Sequence, residues 1–357
     1  MISRFYILGS TTERPQSRRT IFTDGAPDAT FRPGVDMELS HWIPNRTPAC
    51  YQADTSTEIC MRFVESKDPG EWDLAVNNHV DVDGILAVFT LVYSETALAH
   101  RQTIIQAAEM GDFSGWGEEP AQRLFQGLTI LMDDIKAAGM DTQHIYEACF
   151  QRAKELLAGT DIQDPRIEAG VRALQASTQR IMSGQVERQE LHARFVRYTI
   201  PAELTAASLA RALNVPAFNE EIRDDMWLHP QARNRLDREK VQLVAAQTDE
   251  GWYYDVWYPG YMWADTPHSW RAPGFTFSGS TNGYRYAHAP LEEAVHTLQK
   301  EETAEGIWTL AQQLSPFTSV AGRNFPVILS FLDSKNEPAV SRLAPERVAS
   351  LLAASFL

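Results

Sequence analysis

The pattern of apolar and polar positions separates two halves of the chain. In the first half, Leu74 to Val76 is a short apolar run that reads as a buried strand. It empties into a polar loop, Asn77-Asn78-His79-Val80-Asp81-Val82-Asp83-Gly84, and a second apolar run, Ile85 to Tyr93, follows at once. That run suits strand or helix by composition. A buried strand that ends in such a loop returns through a helix in an α/β unit, so Gly84 to Tyr93 is read as helix. Thr55 and Glu58 have capping-box spacing and start a helix to about Glu65. Ser94 is read as the cap of a helix over Thr96 to Met110, ended by Gly111, which leaves Asp112 on a loop. Gln122 to Ala138 places Leu124, Leu128 and Leu131 in helical register. Gln143 to Ala158 is a further helix, and Asp164-Pro165 opens one that runs to about Gln189.

Residues 1 to 34 are polar, with turn signals at Asp24-Gly25 and Arg32-Pro33-Gly34, and are read as an N-terminal arm. Pro44 and Pro48 then forbid a regular element, which puts His41, Trp42, Asn45 and Arg46 on an irregular loop. Near residue 190 the pattern changes. Ala193 to Ile200 alternates as a strand, and Glu203 to Leu213 is a short helix. Val241 to Ala246 and Trp252 to Trp257 form a hairpin. Pro290 to Lys300 and Ala304 to Leu314 are read as helices, Val327 to Leu332 as a strand, and Pro345 opens a last helix. The expected fold class is therefore α/β: a parallel-sheet domain with crossover helices over 1–190, followed by a mixed α+β region over 191–357 that binds or caps the substrate.

Composition narrows the function without naming it. The chain has 357 residues, 44 % hydrophobic and 22 % charged, ample for a large core. Its three cysteines (Cys50, Cys60, Cys149) are scattered, which fits a reducing compartment and no zinc knuckle. No apolar run reaches the roughly 20 residues of a membrane span, and the start lacks a signal-peptide layout; the expected location is cytoplasmic, with no membrane partner. The formal net charge of −15 disfavours nucleic acid as a partner, so the expected partner is a small-molecule substrate. Oligomeric state is left open.

The chemistry concentrates at the polar loop. Ligands of open α/β sheets bind beyond the carboxyl ends of strands. His79, Asp81 and Asp83 are spaced by two, so they converge on one side if the segment stays extended. Two carboxylates so close repel unless a cation lies between them. Imidazole with carboxylate suits Mn²⁺, Fe²⁺, Zn²⁺ or Mg²⁺ better than Cu⁺. The competing reading is an Asx turn and helix cap with no metal.

Strand, then His79-Val80-Asp81-Val82-Asp83-Gly84, then buried helix resembles the first motif of the DHH phosphoesterase superfamily, which includes RecJ-type exonucleases and family II inorganic pyrophosphatases. The resemblance implies that His79 and Asp81 hold one metal and Asp83 helps hold a second. It also implies that paired Mn²⁺ or Mg²⁺ generates the hydroxide that attacks a phosphoester. Asp112 is the candidate for the second-motif aspartate. The Asp-His-His tripeptide of the third motif has no counterpart. More locally, LSHWIPNRTP, ADTSTE and NNHVDVDG together resemble an uncharacterised bacterial family of unknown function.

The expectation is thus a divalent-metal-dependent hydrolase of a small substrate, a phosphoester. Its metal ligands are His79, Asp81, Asp83 and Asp112, its metal is Mn²⁺ or Mg²⁺ with Fe²⁺ as the alternative, and Asp83 also serves catalysis. Arg46 is the candidate anion clamp, and His100, beside Arg101, a candidate to reach the site. His268 or His288 could complete a metal shell. The aromatic-rich stretch from Tyr253 to His288, with Arg271 and Arg285, is a candidate pocket lining. An iron or manganese oxygenase or tailoring enzyme, and a non-enzymatic ligand-binding protein, are the rival readings.

Overall fold

The computed structural model describes all residues except 1, 67–69, 161, 163, 272–288, 312–318 and 321–322. Tyr284, Arg285, Tyr286 and His288 therefore lie outside the described residues. The chain forms two compact units. The first comprises Met1–Val171, Asn219–Ile222 and Ala264–His268; the second comprises the remainder.

The first unit is built on a four-stranded sheet of β1 (Phe5–Ile7), β2 (Thr20–Thr23), β3 (Met37–Leu39) and β4 (Leu74–Asn77). Its spatial order is β1-β4-β2-β3 and every pairing is parallel. The N-terminal segment is therefore not an arm. It supplies two of the four strands, β1 and β2, and β3 follows directly; each is only three or four residues long, too short for alternation to stand out from polar surroundings. Of the three connections between these strands, only β3 to β4 carries a helix, α1 (Ser56–Val64); the other two cross as loops.

After β4 the chain enters α2 (Val82–Val92), whose residues from Val82 to Leu91 are all buried. A helix apolar on every face belongs in the middle of a core, and α2 packs against α1 and α4. The next stretch is two helices, α3 (Ser94–Ala99) and α4 (Arg101–Phe113). Gly111 does not stop α4; the helix ends at Ser114, in the left-handed conformation. Asp112 thus sits in the last turn of a helix instead of on a loop. The helices α5 (Glu119–Ala137), α6 (Thr142–Leu157) and α7 (Pro165–Met182) follow, with α7 ending earlier than the pattern suggested because Glu187 to His192 pairs as a strand.

The second unit holds a six-stranded mixed sheet. Its strands are β5 (Glu187–His192), β6 (Phe195–Ile200), β7 (Val241–Gln247), β8 (Trp252–Trp257), β9 (Ile307–Leu310) and β12 (Val327–Leu332), in the order β5-β6-β7-β8-β12-β9. Only β6 and β7 run parallel. The hairpin of β7 and β8 forms as expected. The segment after Ala304, expected to be helical, is instead the edge strand β9 on β12. The short strands β10 (Ser319–Val320) and β11 (Arg323–Asn324) pair with each other. Helices α8 (Ala202–Ala207), α9 (Leu209–Leu213), α10 (Pro230–Asp237), α11 (Ala289–Glu301) and α12 (Pro345–Ala353) complete the unit. Tyr254, Trp257, Tyr258, Tyr261 and Trp263 are all buried here. Among the described residues no helix is long and apolar enough to cross a membrane.

Candidate metal centre

Six ionisable side chains converge beyond the carboxyl ends of the parallel strands. Asp24 follows β2, His41 follows β3, and His79 and Asp81 follow β4; Asp83 lies in the first turn of α2, and Asp112 in the last turn of α4. All are buried except His79, which is partly exposed.

The loop after β4 does not stay extended. Asp81 is the N-cap of α2, its Oδ1 accepting from Gly84 N at 2.7 Å. The capping reading of the loop is therefore correct for Asp81, and it leaves Oδ2 directed at His79 Nε2, 2.9 Å away. Asp83 turns the other way. Its two oxygens accept from Ser56 N and Thr57 N, both at 2.8 Å, at the start of α1, where the helix dipole favours a negative charge. A carboxylate oxygen has two acceptor sites, so each of these bonds leaves room for a further partner.

Asp24 connects the two sides. Its backbone has a positive φ of 49°, which Asp tolerates better than most residues. Oδ1 accepts from Trp42 Nε1 at 2.9 Å and Ser56 Oγ at 3.0 Å, and Oδ2 faces His79 Nε2 at 3.1 Å. His41 Nε2 lies 3.7 Å from Asp24 Oδ1, 3.8 Å from Asp83 Oδ2 and 3.3 Å from Asp112 Oδ2. Two ligand triads result, Asp24-His79-Asp81 and Asp24-His41-Asp83, with ligand atoms in each triad within 4.8 Å of one another. Asp24 belongs to both.

Both imidazoles are set by a bond on the far nitrogen. His41 Nδ1 is 2.6 Å from Asp54 O; a carbonyl only accepts, so Nδ1 carries the proton. Asn78 Nδ2 donates to Ala26 O, which leaves Asn78 Oδ1 to accept from His79 Nδ1 at 2.7 Å. In both rings Nε2 is turned to the carboxylates, the arrangement that orients histidine as a metal ligand. Tyr146 supports the loop from below. Its hydroxyl donates to His79 O and accepts from Asn77 Nδ2, both at 2.9 Å. Gly84 is required where it stands, since a Cβ there would lie 2.8 Å from Asp24 Oδ2 and 3.0 Å from the Tyr146 hydroxyl.

Charge is crowded. Burial, then the charges of Asp24 and Asp81, outweigh His41 and the Thr57 hydroxyl and push the Asp83 carboxyl up to about 6. Burial, then Asp83, Asp81 and Asp24, raise Asp112 well above its ordinary range, against a bond from Asn219. For Asp24, burial works upward, but the His79 imidazolium beside it, with His41 and Ser56, holds it at about 2. Burial works downward on His79, yet Asp81 and Asp24 raise it well above its ordinary value. Four carboxylates and two inward-facing imidazoles form the donor set that a divalent cation neutralises, and they fit one.

Of the sequence candidates, His79, Asp81, Asp83 and Asp112 are brought together. Arg46 and His100 are not. Arg46 pairs with Glu38 at 3.3 Å and lies over the Phe31 ring, with a side chain 68 % exposed. His100 stands at the start of α4, about 18 Å along the helix from Asp112 at 1.5 Å per residue, and its neighbour Arg101 pairs with Glu65 and Glu58. His268 pairs with Asp54. Sequence reasoning missed Asp24 altogether. The signal was present: Thr20-Ile21-Phe22-Thr23-Asp24-Gly25 is a strand running into Asp-Gly, as Leu74 to Gly84 is on a larger scale. It also assigned His41 no role, and Asn219 was unforeseen. Asn219, at a φ of 56°, donates to Asp112 Oδ1 and accepts from Val82 N.

A family model described as "Family of unknown function (DUF6687)" matches residues 8–273. The chain belongs to this family. The matched region contains every residue of the centre. No curated protein and no solved structure matches the chain.

Proposed function

We propose that the chain is a divalent-metal-dependent hydrolase of small phosphoesters that holds two cations, Mn²⁺ or Mg²⁺, through two triads bridged by Asp24. The observation that carries this reading is the sharing of Asp24 between Asp24-His79-Asp81 and Asp24-His41-Asp83 at the carboxyl ends of a parallel sheet. Each triad has one imidazole and two carboxylates, a harder donor set than the two-histidine, one-carboxylate arrangement of non-haem iron oxygenases. This favours hydrolysis over the iron reading. Paired cations of this kind supply Lewis-acid stabilisation of a phosphoryl group and activation of water.

The chain's own residues do the rest. Asp54 O and Asn78 Oδ1 hold the imidazoles in ligand orientation, and the amides of Ser56 and Thr57 fix Asp83. Trp42, partly exposed and bonded to Asp24 through Nε1, packs its ring against His79 at 5.0 Å between centroids. The test is turnover of a panel of phosphomonoesters and phosphodiesters by protein loaded with Mn²⁺ or Mg²⁺, beside chelator-stripped protein and Asp24→Asn. Turnover that requires metal and falls at least about a hundredfold in Asp24→Asn is the expected outcome. Metal bound without turnover of any ester excludes phosphoester hydrolysis.

A further inference from the structure

The two triads that share Asp24 lie at different depths. In the His41 triad the side chains of Asp24, His41 and Asp83 are fully buried. Asp112 adds a third carboxylate on this side, its Oδ2 3.3 Å from His41 Nε2 and its side chain 1 % exposed. In the His79 triad the His79 side chain is 25 % exposed and the Asp81 side chain 7 %. The triads are also held differently. Both oxygens of Asp83 accept from backbone amides at the start of α1, and Thr57 Oγ1 donates to Asp83 O at 2.9 Å. The His41 ring is fixed by Asp54 O, and His41 N donates to Ser56 Oγ at 3.3 Å. The His41 triad is thus braced against the end of a helix. The His79 ring is held by Asn78 Oδ1, the side chain of an exposed loop residue, and Asp81 gives one of its two oxygens to the cap of α2.

We infer that the two triads differ in function: Asp24, His41 and Asp83 form an inner site that retains its cation, and Asp24, His79 and Asp81 form an outer, exchangeable site by which solvent and substrate reach the centre. Occupancy of the complete pair then follows the free cation concentration through the outer site. The inference rests on the two-cation part of the function proposed above and does not depend on which ester is cleaved. Affinity for a hard cation rises with the number of carboxylates and the rigidity of the ligands, and the inner side has three carboxylates against two. Attraction between charges strengthens as their surroundings become less polar, and no inner side chain is more than 1 % exposed. Loss of the cation's own water works the other way, most of all for Mg²⁺, so Mn²⁺ is the probe that shows the order. Access separates the sites as well. Of the six side chains of the centre, His79 is the most exposed, so a ligand arriving from solvent meets the outer triad first.

The experiment titrates chelator-stripped wild type, His79→Gln and Asp83→Asn with Mn²⁺. Free Mn²⁺ is followed by electron paramagnetic resonance and heat by calorimetry, and the thermal midpoint is measured on the same samples. The wild type is expected to bind in two steps whose dissociation constants differ by at least about tenfold. His79→Gln is expected to keep the tighter step and lose the weaker; Asp83→Asn is expected to lose the tighter. Asp83 is fully buried and its variant can fail to fold, so His79→Gln, at the partly exposed position, decides the assignment. In the wild type, half-maximal turnover of any ester it cleaves is expected at the Mn²⁺ concentration of the weaker step. Two equivalents bound with a single affinity, loss of the tighter step in His79→Gln, or half-maximal turnover at the tighter step would each overturn the inference and leave the hydrolase reading standing. Two ordered steps in a protein that cleaves no ester support the order of the sites and remove only the phosphoester reading. A wild-type protein that binds no Mn²⁺ overturns both.

Discussion

Both units bury carboxylates, and those of the centre in the first unit are met differently from those of the second. In the second unit Asp237 sits between Arg188 and Lys240 and accepts from the Tyr198 hydroxyl at 2.6 Å. Burial works against ionisation there, but Arg188, Tyr198 and Lys240 hold the Asp237 carboxyl below its ordinary range. Asp255 takes both its oxygens to the Arg323 guanidinium, and Ser330 adds a third bond. In the first unit, Asp24, Asp81 and Asp83 meet no arginine or lysine within ion-pair distance among the described residues, and the groups that face them are the His41 and His79 imidazoles. Arginine with carboxylate is a closed pair that a fold keeps for itself. Carboxylates gathered around inward-facing imidazoles leave positive charge to be supplied from outside. The difference separates a structural ion pair from the centre proposed to bind metal.

The comparison breaks most visibly through its closed half. Arg323→Ala strands Asp255 in a buried site and is expected to cost about 3–5 kcal/mol, read as a lowered thermal midpoint that added Mn²⁺ does not selectively repair. The open half responds with the opposite sign. In metal-free protein at neutral pH, Asp112→Asn removes a carboxyl that its neighbours oppose and is expected to stabilise the fold by about 0.5–2 kcal/mol, while weakening metal binding. If Asp112→Asn destabilises the metal-free protein as Arg323→Ala does, the centre is an ordinary buried network.

The pH dependence sharpens the same contrast. Asp83 is raised from its ordinary value to about 6, so its contribution is fully present below its unfolded pKa and is lost as pH rises through about 6. Asp237 is lowered, so its contribution is present above its unfolded pKa and lost as pH falls below it. Chemical denaturation of stripped protein across pH 4 to 8 is expected to show the Asp83 contribution falling between the ordinary carboxyl value and about 6 and level above it, and saturating Mn²⁺ is expected to offset that fall. The smallest expected effect is Tyr146→Phe, which takes one hydrogen bond from His79 O and one from Asn77. It costs about 1 kcal/mol and shifts manganese affinity by about tenfold, the low end for an outer partner of a ligand. No shift in manganese affinity would mean that the loop holds its shape without Tyr146.

Much of this architecture was legible in the chain. The strand at Leu74, the helix after Gly84 and the cap at Thr55 rest on local patterns strong enough to survive packing, and His79, Asp81, Asp83 and Asp112 do meet. The short strands β1 to β3 were not legible, because three or four residues carry too little periodicity and they are set by pairing, β1 and β2 with β4 and β3 with β2. β9 was misread as helix because its strand state is set by pairing with β12, which local propensity does not report. Asp24 looked like a turn residue because it is one; its second role depends on β2 lying beside β4, a contact between residues some fifty positions apart. Asn219 lies further still, and nothing near it in sequence marks its destination.

The most direct test of the centre is a titration of chelator-stripped protein with Mn²⁺, followed by calorimetry and by metal analysis after gel filtration. Two equivalents per chain in the wild type, with both lost or weakened at least about a hundredfold in Asp24→Asn, is the predicted result. A wild-type protein that binds no manganese or magnesium saturably, or an Asp24→Asn protein that binds it as tightly as wild type, would contradict the account.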